Sequence, residues 1–234
     1  MARRILLTGF PGFLGSELAR RIVRRPGRAE VICVVQRKFA ELAIRRADEI
    51  CEQEAIDRAR ILLVEGDITR EGLAIEDAGG FAARVAEVFH LAAAYDLSVK
   101  REVGMKVNVE GTRNVLDFAA RCPKLERFQY VSTCYVSGRW AGIFRETDLE
   151  KGQDFNNFYE ETKYLAEIEV RRRREEGLPT TIYRRRCFPP ISVSITISRV
   201  RIAPVQRYRF TNFSVNRSLS PIASYFGRSL SFIR

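Results

Sequence analysis

The feature that most constrains the fold is a glycine-rich turn between an apolar run and a helical segment. Residues 4–9 (RILLTG) predict a buried parallel strand, and apolar residues recur at helical spacing over 16–24. Between them, Gly9 permits a tight turn, Gly12 lets the backbone approach a pyrophosphate, and Gly15 lets the helix pack close to the strand. The free N–H groups at the start of that helix attract phosphate. This order predicts dinucleotide binding, and the alternative is a glycine-rich turn with no ligand.

The predicted cofactor-binding residues of this turn share one continuous segment. They are Thr8, Gly9, Phe10, Pro11, Gly12, Phe13, Leu14 and Gly15.

The rest of the chain, as far as residue 184, alternates strand and helix. Further strands are predicted at 30–36, 61–66, 86–91, 128–132 and 180–183, and further helices at 39–54, 108–121 and 157–176. Six strands alternating with helices predict an α/β fold with a doubly wound parallel sheet, of the Rossmann type. Ligands of such sheets bind at the carboxyl ends of the strands.

The net charge of +11 belongs almost entirely to the last fifty residues. Residues 185–234 contain nine arginines and no acidic residue, and the last acidic residue is Glu176. The charge is therefore not a nucleic-acid footprint of the main body. We predict a dinucleotide-binding domain over 1–184 and an anomalous basic tail over 185–234. Our hypothesis is that the tail is out-of-frame translation, and the alternative is a genuine divergent tail.

Cysteine, histidine and hydropathy exclude several other classes. Five cysteines without CxxC spacing disfavour a disulfide framework and a zinc site, and they fit a reducing cytoplasm. His90 is the single histidine, which disfavours His-rich metal sites, so no metal is expected. No apolar run reaches the length of a membrane span or of a secretory leader.

Residues after the second strand indicate the preferred dinucleotide. Gln36, Arg37 and Lys38 stand where an acidic residue would bind the ribose hydroxyls of NAD. Two cations suit the 2′-phosphate of NADP(H) instead, so NADP is predicted over NAD. The alternative is an exposed basic turn.

Two further strand ends carry candidate cofactor contacts. Asp67 and Ile68 follow the third strand, where the carboxylate is either an acceptor for the adenine amino group or a turn residue. The small residues in the run Leu91, Ala92 and Ala93 would let the chain pass beside the cofactor. His90 is interpreted as a satisfied, half-buried side chain rather than a catalyst.

The strongest catalytic candidates are Tyr159 and Lys163. Their spacing of four places both on one helical face, and a nearby ammonium lowers the pKa of a phenol. Tyr159 then becomes a usable proton donor or acceptor near neutral pH. Ser132 and Thr133 end the fifth strand, where a hydroxyl could bind a substrate carbonyl oxygen or merely cap the strand.

Taken in order, these segments resemble the extended short-chain dehydrogenase/reductase family. The matching motifs are TGFPGFLG (8–15), GDI (66–68), HLAA (90–93), NVEGT (108–112), VSTCYVSG (131–138) and YEETK (159–163). They cover nearly all of residues 3–184. The STCYVSG segment and the arginine after the second strand look closest to the thioester-reductase and fatty acyl-CoA reductase-like branch.

The resemblance implies roles for particular residues. Its catalytic triad maps onto Thr133, Tyr159 and Lys163, with Ser132 as the alternative hydroxyl, and Lys163 would also bind the nicotinamide ribose. Asn108 joins the predicted cofactor-binding set through the NVEGT motif. The branch implies NADPH-dependent reduction of an acyl thioester or another small carbonyl substrate.

The tail departs from the family at residue 185, where a nicotinamide loop and a substrate lobe are expected. This departure predicts weak NADP(H) binding and poor turnover for this chain. A nucleotide-sugar epimerase or dehydratase, and a defective protein whose tail binds polyanions, remain alternatives. No specific nucleic-acid recognition is expected, and the long charged helix leaves a homodimer open.

Overall fold

The computed structural model describes residues 3–96 and 98–185. Within them, six strands form one sheet in which neighbouring strands are all parallel, in the order β3-β2-β1-β4-β5-β6. The strands are β1 (Arg4–Thr8), β2 (Glu30–Val35), β3 (Ile61–Glu65), β4 (Val85–His90), β5 (Arg127–Thr133) and β6 (Thr180–Arg185). This confirms the predicted doubly wound sheet. The order reverses between β1 and β4, which is where such folds bind ligands.

Helices connect the strands and cover both faces of the sheet. They are α1 (Phe13–Val23), α2 (Ala40–Glu54), α3 (Ala78–Ala82), α4 (Arg101–Gly104), α5 (Gly111–Ala120) and α6 (Phe158–Glu175). A π-helical turn, Met105–Glu110, joins α4 to α5, so the helix predicted from residue 108 starts seven residues earlier. The sequence does not predict α3, because two glycines in five residues carry no apolar period.

Alternation along the strands produces a separate core on each face. One core includes Leu6, Ile32, Val88, Phe128, Val115, Leu116, Phe118, Ala166 and Val170. The other includes Ile5, Leu7, Val31, Cys33, Phe89, Ala19, Ile22, Ala43, Ala47 and Ile50. Successive residues of one strand thus belong to opposite cores, as the period of two requires. Because the strands are buried on both sides, their sequences are continuous apolar runs.

The start of α6 is fixed by a reciprocal cap. Asn157 accepts a hydrogen bond from the backbone N–H of Glu160 at 3.0 Å. The Glu160 carboxylate accepts the backbone N–H of Asn156 at 2.9 Å. Two N–H groups that the helix cannot pair internally are satisfied in this way. The cap sets the rotation of the first turns of α6, which carry Tyr159 and Lys163.

Apart from residues 141–145, the described residues form one compact unit. No helix in this part of the chain is long and apolar enough to cross a membrane. Almost all of the predicted basic tail, from residue 186 onward, lies outside the described residues, and so does the predicted out-of-frame segment. The boundary at 184/185 therefore stays a prediction.

Candidate active site

The glycine-rich turn has backbone contacts that exclude side chains. Gly9 has φ of +93°, and a Cβ there would lie 3.0 Å from the backbone nitrogen of Ala92. A Cβ on Gly12 would lie 2.9 Å from the Gly9 carbonyl oxygen, and one on Gly15 only 2.4 Å from the same atom. The turn and α1 are therefore packed backbone against backbone, as the sequence predicts.

The N-terminus of α1 has the properties of an anion site. Gly12 is the residue before the helix, no side chain caps it, and the first turn contains no acidic residue. Its N–H groups and partial positive charge are suited to a pyrophosphate. Phe10 is buried, whereas Phe13 is 76% exposed at the first helical position. The residues present thus fit the phosphates of a dinucleotide.

The basic turn after β2 lies at the same edge of the sheet. Arg37 and Lys38 are exposed in a short 3-10 turn, with the Lys38 ammonium 4.9 Å from the centre of the Phe39 ring. Gln36 donates to Asp67, which follows β3. Exposed cations at this position are available to a 2′-phosphate.

Asp67 makes the contacts of a turn residue, which is one of the two roles that the sequence leaves open. One carboxylate oxygen accepts the backbone N–H of Thr69 at 2.8 Å and the Thr69 hydroxyl at 2.9 Å. Burial raises the pKa of Asp67, but these bonds, the bond from Gln36 and the charge of Arg70 lower it further than burial raises it. Ile68 is buried, and its carbonyl accepts from Asn114 at 2.8 Å.

The segment after β4 is held from two sides. Thr8 accepts the backbone N–H groups of Leu91 and Ala92, both at 3.2 Å. The amide of Asn108 accepts from the Ala94 nitrogen at 2.8 Å and donates to the hydroxyl of Thr162 at 3.0 Å. Both Thr8 and Asn108 are buried, so their described contacts position this segment, Ala93 included, beside the predicted cofactor path.

Tyr159 and Lys163 lie one turn apart near the start of α6, as predicted, and both are buried. The ring of Tyr95 packs edge-on against that of Tyr159 with centroids 4.9 Å apart. The Lys163 Nζ donates to the phenol oxygen of Tyr130 at 2.7 Å and to the carbonyl of Val131 at 3.0 Å. Burial lowers the pKa of Lys163 to about 7, although the charge of Glu167 opposes this shift.

The two candidate hydroxyls at the end of β5 have different partners. Ser132 donates to the carboxylate of Glu167 at 2.6 Å. Thr133 accepts the backbone N–H of Tyr135 at 3.2 Å and so caps the following turn, Cys134–Ser137. Both hydroxyls are buried. Ser132 therefore gives its proton to Glu167. Thr133 acts as an acceptor in its described contact with Tyr135, so this contact does not use the proton of the Thr133 hydroxyl.

Glu167 is a buried carboxylate that sequence reasoning did not single out. Besides Ser132, it accepts from Arg171 at 3.1 Å and from Arg184 at 2.8 Å. Arg171 also donates to the carbonyl of Thr147 at 2.9 Å. This cluster joins α6, β5 and β6. The sequence feature that could have identified Glu167 is its spacing of four from Lys163, which puts both residues on the same face of α6.

His90 is satisfied through both ring nitrogens. Its Nε2 lies 2.9 Å from the Thr112 hydroxyl, and its Nδ1 lies 2.7 Å from that of Thr8. Thr112 donates its own proton to the carbonyl of Asn108 at 2.6 Å. Thr112 must then accept Nε2–H, and Nδ1 accepts from Thr8. Both ring nitrogens thus have partners, as the sequence predicts, and His90 is fully rather than half buried. That His90 is not a catalyst stays a prediction.

Burial also holds His90 neutral. It lowers the pKa of the imidazole to about 3, and the charge of Lys163 acts in the same direction. No group of three or more potential metal-binding side chains occurs among the residues that the structure describes.

The fold and this site define an NAD(P)-binding domain of the extended short-chain dehydrogenase/reductase class. Residues 7–189 match the family described as "NAD_binding_4: Male sterility protein", and the chain belongs to that family. The match ends five residues after the composition changes at 184. Binding of a pyridine nucleotide follows from this membership.

Similar curated proteins include fatty acyl-CoA reductases and a subunit of linear gramicidin synthase. Fatty acyl-CoA reductase 1 of Arabidopsis thaliana is 28% identical over 171 residues, which cover 64% of this chain and 35% of that protein. One component of the linear gramicidin synthase of Brevibacillus parabrevis is 31% identical over 190 residues, which cover 76% of this chain and 4% of that protein. The chain thus spans about a third of the reductase and a small part of the synthase.

Among solved structures, the terminal R domain from the myxalamid PKS-NRPS biosynthetic pathway superposes with a TM-score of 0.68. It is 31% identical, and the match covers 79% of this chain and 48% of that domain. The NAD complex of UDP-glucuronic acid 4-epimerase from Bacillus cereus has a TM-score of 0.61 at 23% identity, over 78% of this chain and 56% of that one. The latter likeness shows the fold alone.

Proposed function

We propose that this chain carries the cofactor-binding and catalytic part of an NADP(H)-dependent reductase that acts on the carbonyl of an acyl thioester. The observation that carries the proposal is the buried Tyr159–Lys163 pair on α6, whose Lys163 Nζ donates to the carbonyl of Val131, two residues before Thr133 in β5. Similarity to proteins named fatty acyl-CoA reductase supports the thioester class of substrate.

Each side chain has a distinct role in this proposal. Bound NADPH would supply the hydride. Tyr159 holds a proton at its phenol oxygen and donates it to the substrate oxygen, which gains the electron pair of the C=O bond. The hydroxyl of Thr133 donates to the same oxygen, where negative charge develops. The Lys163 ammonium favours the phenolate that Tyr159 leaves behind and would bind the nicotinamide ribose.

Cofactor binding would involve the residues predicted from the sequence. The glycine-rich turn and the N-terminus of α1 would hold the pyrophosphate. Arg37 and Lys38 would pair with a 2′-phosphate, and Asp67 and Ile68 border the predicted adenine site. We therefore propose NADP(H) over NAD(H) as the preferred cofactor.

A thermal melt of the full chain with NADPH or NADH tests cofactor binding. We expect a larger stabilisation by NADPH, because a ligand that binds only the folded state raises the melting temperature. Arg37→Asp should weaken NADPH binding by about tenfold and reduce the preference over NADH. Lys124→Asp is the matched control, because it also changes one exposed cation but lies at the opposite edge of the sheet.

Two results would contradict this part of the proposal. One is an absence of any shift with either cofactor at millimolar concentration. The other is a cofactor preference that is the same for the Arg37→Asp and Lys124→Asp chains.

Release of oxidised cofactor during turnover distinguishes a reductase from an epimerase, which regenerates its cofactor. With NADPH and a long-chain acyl-CoA, we expect slow accumulation of NADP⁺, because residues 185–234 do not resemble a substrate lobe. Epimerisation of a nucleotide sugar without net oxidation of cofactor would support the alternative function instead.

We also propose a cytoplasmic location. Among the described residues, Cys33, Cys51, Cys122 and Cys134 form no disulfide, in keeping with a reducing compartment. A homodimer is a further proposal, and the elution volume of the full chain in size-exclusion chromatography tests it.

A further inference from the structure

The contacts of Lys163 identify a residue that neither the motifs nor the proposed triad include. Tyr130 is fully buried in β5, and its phenol oxygen accepts from the Lys163 Nζ at 2.7 Å. The ammonium also lies 4.3 Å from the centre of the Tyr130 ring. Lys163 thus approaches this side chain at its oxygen.

The phenol of Tyr130 is itself held in place. Thr112 interacts with the phenol oxygen, while it gives its own proton to Asn108 and accepts from His90. The Tyr130 oxygen accepts from Lys163.

Strand register explains why these groups meet. Thr8 of β1 is paired with His90 of β4, and His90 is paired with Tyr130 of β5. The three side chains lie on the same face of the sheet, where α5 supplies Thr112 and α6 supplies Lys163. We name this series of buried polar contacts, Thr8–His90–Thr112–Tyr130–Lys163, the polar chain.

We propose that Tyr130 is a positioning residue for Lys163, whose ammonium it holds through its phenol oxygen at the end of the polar chain. The inference rests on the proposed function for its meaning in catalysis. Its geometry does not depend on a cofactor or a substrate, so it can be tested on the free protein.

The surroundings of Lys163 contain few groups that could compete with Tyr130. On α6 the titratable neighbours are Glu167, which is held by Ser132 and two arginines, and Tyr159. On the sheet they are His90 and Tyr130. The turn after β5 carries Cys134 and Tyr135. The charged residues of the adjoining helix, Arg101, Glu102, Lys106, Glu110 and Arg113, are exposed.

Of the buried groups in the polar chain, Lys163 is the one expected to change charge near neutral pH. Its pKa is about 7, whereas burial holds the pKa of His90 at about 3 and raises that of Tyr130 well above its ordinary value. Loss of a hydrogen-bond acceptor of Lys163 should therefore appear as a shift in the midpoint of a single titration, that of Lys163.

The experiment is an NMR titration of the full chain with ¹³C-labelled lysine side chains. The chain contains six lysines, and those that are exposed should titrate near the usual pKa of about 10.4. Lys163 should titrate near neutrality, with its signal assigned by its loss in Lys163→Met. The difference in the Lys163 midpoint between the unchanged chain and its variants tests the proposal.

Tyr130→Phe keeps the ring and removes the acceptor oxygen. Because the ammonium loses a hydrogen bond, its midpoint should fall by about half a unit or more. Tyr183→Phe is the matched control: it removes a hydroxyl bonded to Gln129 at 2.5 Å, away from Lys163, and should leave the midpoint unchanged. Equal midpoints in Tyr130→Phe and the control would overturn the proposal.

Cofactor binding separates this inference from the proposed function. At pH 7.5 the dissociation constant for NADPH should rise about three- to tenfold in Tyr130→Phe, because fewer molecules carry a charged Lys163. A shifted midpoint in a protein that binds no NADPH would retain the positioning role and refute the proposed function. An unchanged midpoint with normal NADPH binding would refute the positioning role alone.

Discussion

Ser132 and Thr133 are adjacent residues, yet their hydroxyl groups have different hydrogen-bond partners. The sequence leaves both as candidates, because each is a small hydroxyl at the end of a strand. The Ser132 proton points to Glu167 at 2.6 Å, a partner 35 residues away in the chain. No local pattern predicts that contact, since it depends on how α6 packs against β5.

We therefore expect Ser132→Ala and Thr133→Val to have different effects on the rate of NADPH oxidation. Ser132→Ala should lower the free energy of unfolding by about 1–3 kcal/mol, because it removes a hydrogen bond to a buried carboxylate. It should leave the single-turnover rate of NADPH oxidation nearly unchanged. Urea unfolding and stopped-flow absorbance measure the two quantities.

Thr133→Val should slow the single-turnover rate by about 10²-fold. It should also lower the free energy of unfolding by about 1 kcal/mol, because the turn Cys134–Ser137 loses its cap. A slow Ser132→Ala protein beside a fast Thr133→Val protein would reverse the assignment and make Ser132 the catalytic hydroxyl.

Tyr159→Phe should separate binding from chemistry. The ring that packs against Tyr95 is kept, so folding and NADPH affinity should stay close to those of the unchanged chain. Proton donation to the substrate oxygen is lost, so the rate of NADPH oxidation should fall by about 10²-fold or more. A rate unchanged by this substitution would remove Tyr159 from the proposed mechanism.

At the scale of elements, the glycine-rich turn agrees closely with the prediction from the sequence, because close backbone contacts determine its conformation. The spacing of Gly9, Gly12 and Gly15 predicts the turn, and the Gly9 carbonyl oxygen lies where a Cβ on either of the other two would collide. In contrast, α3 and the π-helical turn before α5 were not predicted. Glycines in α3 and a register change at Met105–Glu110 disturb the period on which helix prediction relies.

Gly15→Ala tests the close packing of β1 and α1. Its Cβ would lie 2.4 Å from a carbonyl oxygen, so α1 must move. We expect a loss of about 1–3 kcal/mol in stability and a weakened response to NADPH in the thermal melt. Gly79→Ala is the control, because a Cβ there meets nothing within 4 Å. Equal NADPH responses in the two variants would contradict the predicted role of the turn.

At the scale of the whole molecule, stability should depend on pH through His90. The pKa of about 3 in the folded state lies below the ordinary value of 6.5, so the unfolded chain binds a proton that the folded one excludes. The free energy of unfolding should therefore fall as the pH drops below 6.5 and continue to fall towards pH 3. Between pH 7 and pH 5 the loss due to His90 should be about 2 kcal/mol.

Urea unfolding at these two pH values checks this expectation. The carboxylates with lowered pKa, Glu17, Asp67 and Glu169, lose their stabilising charge only at lower pH. His90→Gln should thus reduce the difference between pH 7 and pH 5, even if it lowers stability at both. A difference that is the same in both proteins would mean that the imidazole is not held neutral.

The sequence predicts the layers, the parallel sheet and the edge of the sheet where the site lies, because these follow from periodicity and glycine spacing. It does not predict the interior contacts of that site. Tyr130 and Thr112 look like ordinary residues of a strand and a helix, and only strand register brings them between His90 and Lys163. Buried polar groups of this kind are identified from their hydrogen-bond partners in the folded structure rather than from adjacent residues in the sequence.

The polar chain gives the two ends of the proposed nucleotide site a common frame. Thr8 begins the turn expected to hold the pyrophosphate, and Lys163 is expected to hold the ribose next to the nicotinamide. Because buried polar contacts through the protein interior link these residues, the distance between the two expected anchoring points is set before any ligand arrives. The site would therefore distinguish the two halves of a dinucleotide: the nicotinamide half has a phosphate and a ribose for both anchors, whereas the adenosine half reaches only the phosphate anchor.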